Sequence, residues 1–191
     1  MVVSAALVIA TLLATPAAAD RGRLRDRNDT PGILDIRAIV HRHNDKGRLF
    51  HTVRTYRRWR LKQLPTNDEN YVGFYFDDGT TDNEADRFVW VRRSVRKGLH
   101  ARLYQPGTHA NGKFLGTVRV WRPNRRSVRI SIRPRQPGDA LSERYRWRAT
   151  TSFESADSKG CPEDNTVSSF PAGNCIDNAP HVRRAGLGHE L

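Results

Sequence analysis

Ten residues between two apolar runs, Asp77-Asp78-Gly79-Thr80-Thr81-Asp82-Asn83-Glu84-Ala85-Asp86, hold five carboxylates in a chain whose formal net charge is +13. Calcium takes about six to eight hard oxygen ligands in a forgiving geometry, which dense carboxylates on a loop can supply. Asp77, Asp78, Asp82, Glu84 and Asp86 are therefore the candidate calcium site, although their spacing is not that of an EF-hand loop. A solvated acidic turn paired with nearby arginines accounts for the same residues. Glycan-cleaving chemistry needs two carboxylates about 5–10 Å apart, and Asp77, Asp82 and Asp86 could supply them.

The second chemical feature is cationic. Lys and Arg total 33, and only five of them are lysine. Such an excess attracts polyanions in a salt-sensitive way, while a GC-rich coding bias also favours arginine over lysine. Arg129 and Arg133 alternate with apolar residues, as do Arg144, Arg146 and Arg148, and Arg119 joins them. Side chains two apart on a strand point the same way, so these six are expected to form a flat plate for phosphate, sulfate or uronate groups, which guanidinium forks bind bidentately. An ordinary solvated face is the alternative. No motif for specific nucleic-acid recognition is present.

Aromatic rows on a sheet can grip sugar rings. Trp90 and Trp147 fall in strand alternation and read as core, whereas Trp59, after Tyr56-Arg57-Arg58, reads as the surface aromatic. His41, His43 and His51 could meet across a hairpin and hold zinc or copper, or could be ordinary surface histidines. No G-x-S-x-G, no H-E-x-x-H and no phosphate-cradling glycine loop occurs, so a non-catalytic role is expected.

The elements that must position these groups have a period of two. Residues 33–40, 49–56, 71–76, 88–95, 99–104, 116–122, 127–133 and 144–153 read as about eight strands. In the last of these, Tyr145, Trp147, Ala149, Thr151 and Phe153 share one face, while residues 71–76 are apolar on both. Turn residues fall between them: Asp77-Asp78-Gly79, Arg96-Lys97-Gly98, Asn111-Gly112 and Pro123-Asn124. Short strands at this spacing predict an all-β fold: an antiparallel β-sandwich, jelly-roll or immunoglobulin-like.

The ends read differently. Residues 2–13 are an apolar run followed by Ala17-Ala18-Ala19, which reads as a secretion signal cleaved before Asp20, although no Lys or Arg precedes the run. A run of twelve residues is too short to span a bilayer. The chain is thus expected to comprise a signal (1–19), a flexible leader (20–32), a β-sandwich domain (33–153) and an irregular C-terminal segment (154–191). An exported chain meets an oxidising compartment, so Cys161 and Cys175 are expected to pair. Closing that loop contributes about 3 kcal/mol in the chain-entropy account.

The layout resembles secreted actinobacterial β-sandwich proteins of unknown function. More distantly, it is similar to DOMON-type and family 9 carbohydrate-binding-like sandwiches. The residues that carry this are Leu34-Asp35-Ile36, Val53-Arg54-Thr55-Tyr56, Tyr71-Val72-Gly73-Phe74-Tyr75-Phe76-Asp77 and Asp86-Arg87-Phe88-Val89. The resemblance implies binding of a sugar or, as in some DOMON proteins, of haem. Met1 is the only methionine and falls within the signal, so a histidine would have to serve as axial ligand. The first strand lacks the Gly-Asp-rich entry common in such sandwiches.

Taken together, the expectation is a secreted, monomeric, non-catalytic binding protein of bacterial type, free or at the cell envelope. Its partner would be an anionic polysaccharide or cell-wall polymer, and its only cofactor a structural calcium ion. A small hydrolase acting through the acidic loop and an inert surface protein are the competing readings.

Overall fold

The computed structural model describes residues 21–44, 48–64, 66, 70–77, 85–96, 98–107, 112–132, 145–154 and 174–179. These form ten strands: β1 (Arg21–Arg25), β2 (Ile36–His43), β3 (Leu49–Thr55), β4 (Tyr71–Asp77), β5 (Arg87–Ser94), β6 (Gly98–Gln105), β7 (Lys113–Asn124), β8 (Ser127–Ile132), β9 (Arg146–Glu154) and β10 (Asn174–Ala179). One turn of 3-10 helix, Leu61–Gln63, lies between β3 and β4. Among the described residues no helix is long and apolar enough to cross a membrane. Residues 1–19, expected to be the export signal, lie outside those described.

All neighbouring strands are antiparallel, in the order β1-β2-β3-β8-β7-β6-β5-β4-β9-β10. Strands β4 to β8 form a meander. β3 then pairs along β8, and β9 pairs along β4 on the opposite side. The twelve-residue β7 serves both halves: residues 113–118 pair with β6 and residues 119–124 with β8. The sheet curls until its two ends nearly meet. The Ile36 amide at the start of β2 donates to the Asp177 carboxylate on β10. Thr151 Oγ1 on β9 donates to Leu34 O at 3.0 Å. The architecture is therefore all-β, antiparallel and nearly barrel-like.

Alternation decides what the curl encloses. Val128, Ile130 and Ile132 of β8, Val72, Phe74 and Phe76 of β4, and Trp147, Ala149 and Phe153 of β9 all belong to one core. Residues between them face outwards: Arg129 on β8, Tyr75 on β4, Arg148 on β9. Two glycines hold turns that other residues would strain: Gly98 at φ 69°, closing the β5–β6 turn, and Gly112 at φ 68°. A Cβ at Gly112 would also stand 2.3 Å from Gln105 O.

The eight expected strands are all present, each shifted by a few residues at most. Two more flank them. The leader expected at 20–32 contributes β1, which pairs with β2 from Arg21↔Arg42 to Arg25↔Ala38. Its sequence does alternate: Gly22 and Leu24 sit between arginines, Leu24 packs against the core, and Arg23 and Arg25 are exposed. Charge hides the period. The C-terminal segment, expected to be irregular, contributes β10, whose Cys175, Ile176, Asp177 and Ala179 are buried. Cys161, the expected partner of Cys175, lies outside the described residues.

Candidate functional site

The outward face of β2, β3, β8 and the second half of β7 is cationic. Where β3 ends beside the β7–β8 turn, a groove of about 480 Å³ is lined by Arg37, Arg54, Arg58, Arg125 and Arg126, with Asn124 and Ser127. Arg37, Arg58 and Arg125 are exposed, while Arg54 and Arg126 are half-buried. No carboxylate is among the described residues that line it.

The backbone beneath these arginines is held firmly. Asn124 Oδ1 accepts from the Arg126 amide at 2.8 Å, which closes the turn locally. The Arg126 carbonyl accepts from the Thr55 amide at 2.8 Å, and the Arg125 carbonyl accepts from the Trp59 amide at 3.0 Å. Arg122 adds a clamp. Its guanidinium lies 3.7 Å from the Trp59 ring centroid and donates to Trp59 O at 2.7 Å and to Arg125 O at 3.0 Å. Burial, and then Arg125, lower the Arg122 pKa. Trp59 is 1 % exposed. It is the pin between residues 55–59 and the hairpin, not the surface aromatic its charged neighbours suggested.

Farther along the same face, charge and rings alternate. Arg129 donates to Thr52 Oγ1 at 2.9 Å. Arg129 and Arg119 lie 5.8 Å and 5.4 Å from the Trp121 centroid, Trp121 meets Phe50 edge-on at 6.0 Å, and Arg42 covers Phe50 at 5.4 Å. Cation–π contacts hold guanidinium groups against the sheet while leaving their N–H edges directed to solvent.

The expected arginine plate is thus split. Arg119 and Arg129 belong to this face. Arg146 and Arg148 do not: β9 is separated from β8 by β7, β6, β5 and β4. Consecutive strands were expected to be neighbours, but the chain returns from β8 to the opposite flank of the meander. There Arg146 is opposite Asp77, and Arg148 lies 5.3 Å from the Tyr75 ring. Arg133 and Arg144 lie outside the described residues. The groove arginines went unrecognised because Arg54 comes from β3, Arg37 from a bulge in β2 and Arg125-Arg126 from a turn. Only the outward position of Arg54 in its strand's alternation was a signal.

Of the expected calcium ligands, Asp77 ends β4 and Asp86 precedes β5, while Asp78, Asp82 and Glu84 lie outside the described residues. A different acidic group is gathered inside. Carboxylate oxygens of Asp29, Asp35 and Asp177 lie within 4.8 Å of one another, where the start of β2 meets β10. Burial, then Asp29 and Asp26, raise Asp35 to about 7; Arg57 and the Thr30 amide act the other way. Burial raises Asp177 to about 8, opposed by the Ile36 amide and reinforced by Asp26, Asp29 and Asp35.

Of the three candidate histidines, His41 and His51 are interior, whereas His43 is half-buried at the end of β2, opposite Leu49. His41 and His51 are register partners, 2 % and 0 % exposed. His51 Nε2 is 2.7 Å from the Tyr145 hydroxyl, and its ring packs edge-on against Phe76 and Trp147. Burial, and then His41, push His51 down to about 3.

The outer face of β4–β7 carries aromatics. Trp90, expected in the core, is half-buried there, opposite Gly73. Phe88 lies 4.8 Å from Trp90 and stacks on Tyr104 at 5.3 Å, and Tyr71 lies 5.6 Å from Trp90. Arg92 covers Trp90 at 4.5 Å. These rings pack on one another, and Phe114, 54 % exposed, is their open end. Burial, then Tyr75, raise the Tyr71 phenol.

No protein-family model, no curated protein and no solved structure matches this chain.

Proposed function

We propose that this is a secreted, non-catalytic protein that binds an extracellular or cell-envelope polyanion, an anionic polysaccharide or cell-wall polymer, through the arginine groove. One observation carries this reading: five arginines line a single groove without a carboxylate among the lining residues. Cations brought together on a fixed backbone repel one another, and a multivalent anion relieves that repulsion. A groove of about 480 Å³ matches the size of small-ligand sites, so it takes one or two charged sugar or phosphate units while the rest of the polymer follows Arg129 and Arg119. The Cys161–Cys175 bridge belongs to the same proposal. Alkylation of the denatured chain is expected to label thiols only after reduction.

Calorimetric titration with heparin as the probe tests the groove. Arg37→Ala and Arg58→Ala, both at exposed positions, are expected to weaken binding roughly 3- to 10-fold each at about 0.1 M salt and to flatten the dependence of log K on log salt by roughly one. Arg148→Ala, on β9, is expected to leave binding unchanged. Equal losses from all three variants would reduce the attraction to net charge and overturn the groove.

A further inference from the structure

We infer that Asp29, Asp35 and Asp177 form a calcium site that fastens β10 to the segment entering β2. The three carboxylates come from separated parts of the chain, and their oxygens lie within 4.8 Å of one another. Oxygen ligands of one calcium ion stand no more than about 4.8 Å apart, so the three carboxylates are close enough to share one. An all-oxygen, all-anionic donor set selects a hard cation over zinc or copper.

A second observation points to a ligand. Asp35 is 1 % exposed, and its Oδ1 meets no hydrogen-bond donor among the described residues. A buried carboxylate oxygen without a partner costs about 1–3 kcal/mol or more. Asp177, 2 % exposed, uses Oδ2 to accept from the Ile36 amide, which aims the carboxylate at the seam. Asp29 is half-buried and gives the site its opening to solvent. The surrounding charges fit the same picture. In a chain with 33 basic residues, a seam that instead gathers acids is arranged for a cation from solution.

Calcium chloride titrated into the EDTA-treated full-length chain, by calorimetry and by thermal melt, tests this. We expect about one ion bound at this seam and a melting temperature raised by roughly 5–10 °C at a hundredfold excess over Kd. Asp35→Asn is expected to abolish that rise while melting no lower than the parent in EDTA, because it removes a repelled charge. Asp29→Asn, at a half-buried position, is expected to weaken calcium binding at least tenfold. Asp77→Asn and Asp86→Asn are expected to keep the rise. Calcium binding that survives Asp35→Asn and Asp29→Asn but is lost with Asp77→Asn would overturn the inference in favour of the acidic loop. No calcium binding, with Asp35→Asn stabilising equally in EDTA and in calcium, would also overturn it and leave a proton-sharing pair.

Discussion

His51 stands at 0 % exposure among Phe76, Tyr145 and Trp147, where a positive charge has no water to stabilise it. Its folded pKa of about 3 lies below the ordinary 6.5. The unfolded chain therefore takes up a proton that the folded chain refuses. The resulting stability is complete above pH 6.5 and is lost as pH falls towards 3, at about 1.4 kcal/mol per pH unit. Asp35 and Asp177 act with the opposite sign, since their folded pKa values are raised. They favour the fold below about pH 4 and lose that contribution as pH rises through 7 to 8. Comparison with His51→Gln isolates the histidine. Melted side by side in EDTA from about pH 6.5 down to pH 4, the parent is expected to lose stability faster than the variant, and parallel curves would count against a neutral buried imidazole.

At the scale of elements, β4 and β5 show how one small residue sets a face. Gly73 lies opposite Trp90, and a Cβ there would stand 2.7 Å from Tyr75 Cε2 and 3.3 Å from Tyr71 Cε2. The two tyrosine rings occupy the space a side chain would need, and the Trp90 indole donates to Tyr75 Oη at 3.2 Å. Gly73→Val is expected to displace these rings and cost about 1–3 kcal/mol, read as a lower melting temperature with altered near-ultraviolet circular dichroism. An unchanged spectrum would mean that the rings are not fixed by this contact.

The strands themselves were legible in the sequence, because Val128, Ile130 and Ile132, or Trp147, Ala149 and Phe153, spell out a period of two. Their neighbours were not legible. Alternation says which face a residue shares, but not which strand lies alongside, so Arg129 and Arg148 looked like companions and are not. The same limit hid the acidic seam. Asp35 and Asp177 are 142 positions apart in sequence and meet only because the sheet curls. Trp59 and Trp90 exchanged their expected places for a related reason: one is covered by a hairpin distant in sequence, and the other faces outwards over a glycine on the next strand.

For the molecule as a whole, the two sites share a support. The Tyr56 amide donates to Asp35 O at 2.9 Å, and the Tyr56 hydroxyl donates to Asp26 O at 2.7 Å. Three residues on, the Trp59 amide holds the Arg125 carbonyl under the groove. Anything that orders the acidic seam therefore bears on the backbone from which Arg58 projects. Saturating calcium is expected to tighten heparin binding modestly, two- to threefold by the probe titration. This enhancement should be absent in Asp35→Asn, and an unchanged affinity would show that residues 55–59 are rigid without the ion.

The strand order also leaves β1 at a rim, paired on one side only among the described residues. A bare rim offers unused amide and carbonyl groups to any extended peptide, including another copy of the same strand. Here the rim reads RGRLR, and the side chains of Arg23 and Arg25 are exposed. Two such rims approaching edge to edge would bring like charges together, so the arginines act as a guard against stacking into fibrils. The guard is only as strong as the electrostatics, and screening by concentrated salt weakens it. On the proposed polyanion-binding reading, the chain carries at its edge a barrier that the same polyanions would lower. Crowded on a long anionic polymer, its copies would lose the repulsion that keeps them apart in dilute solution.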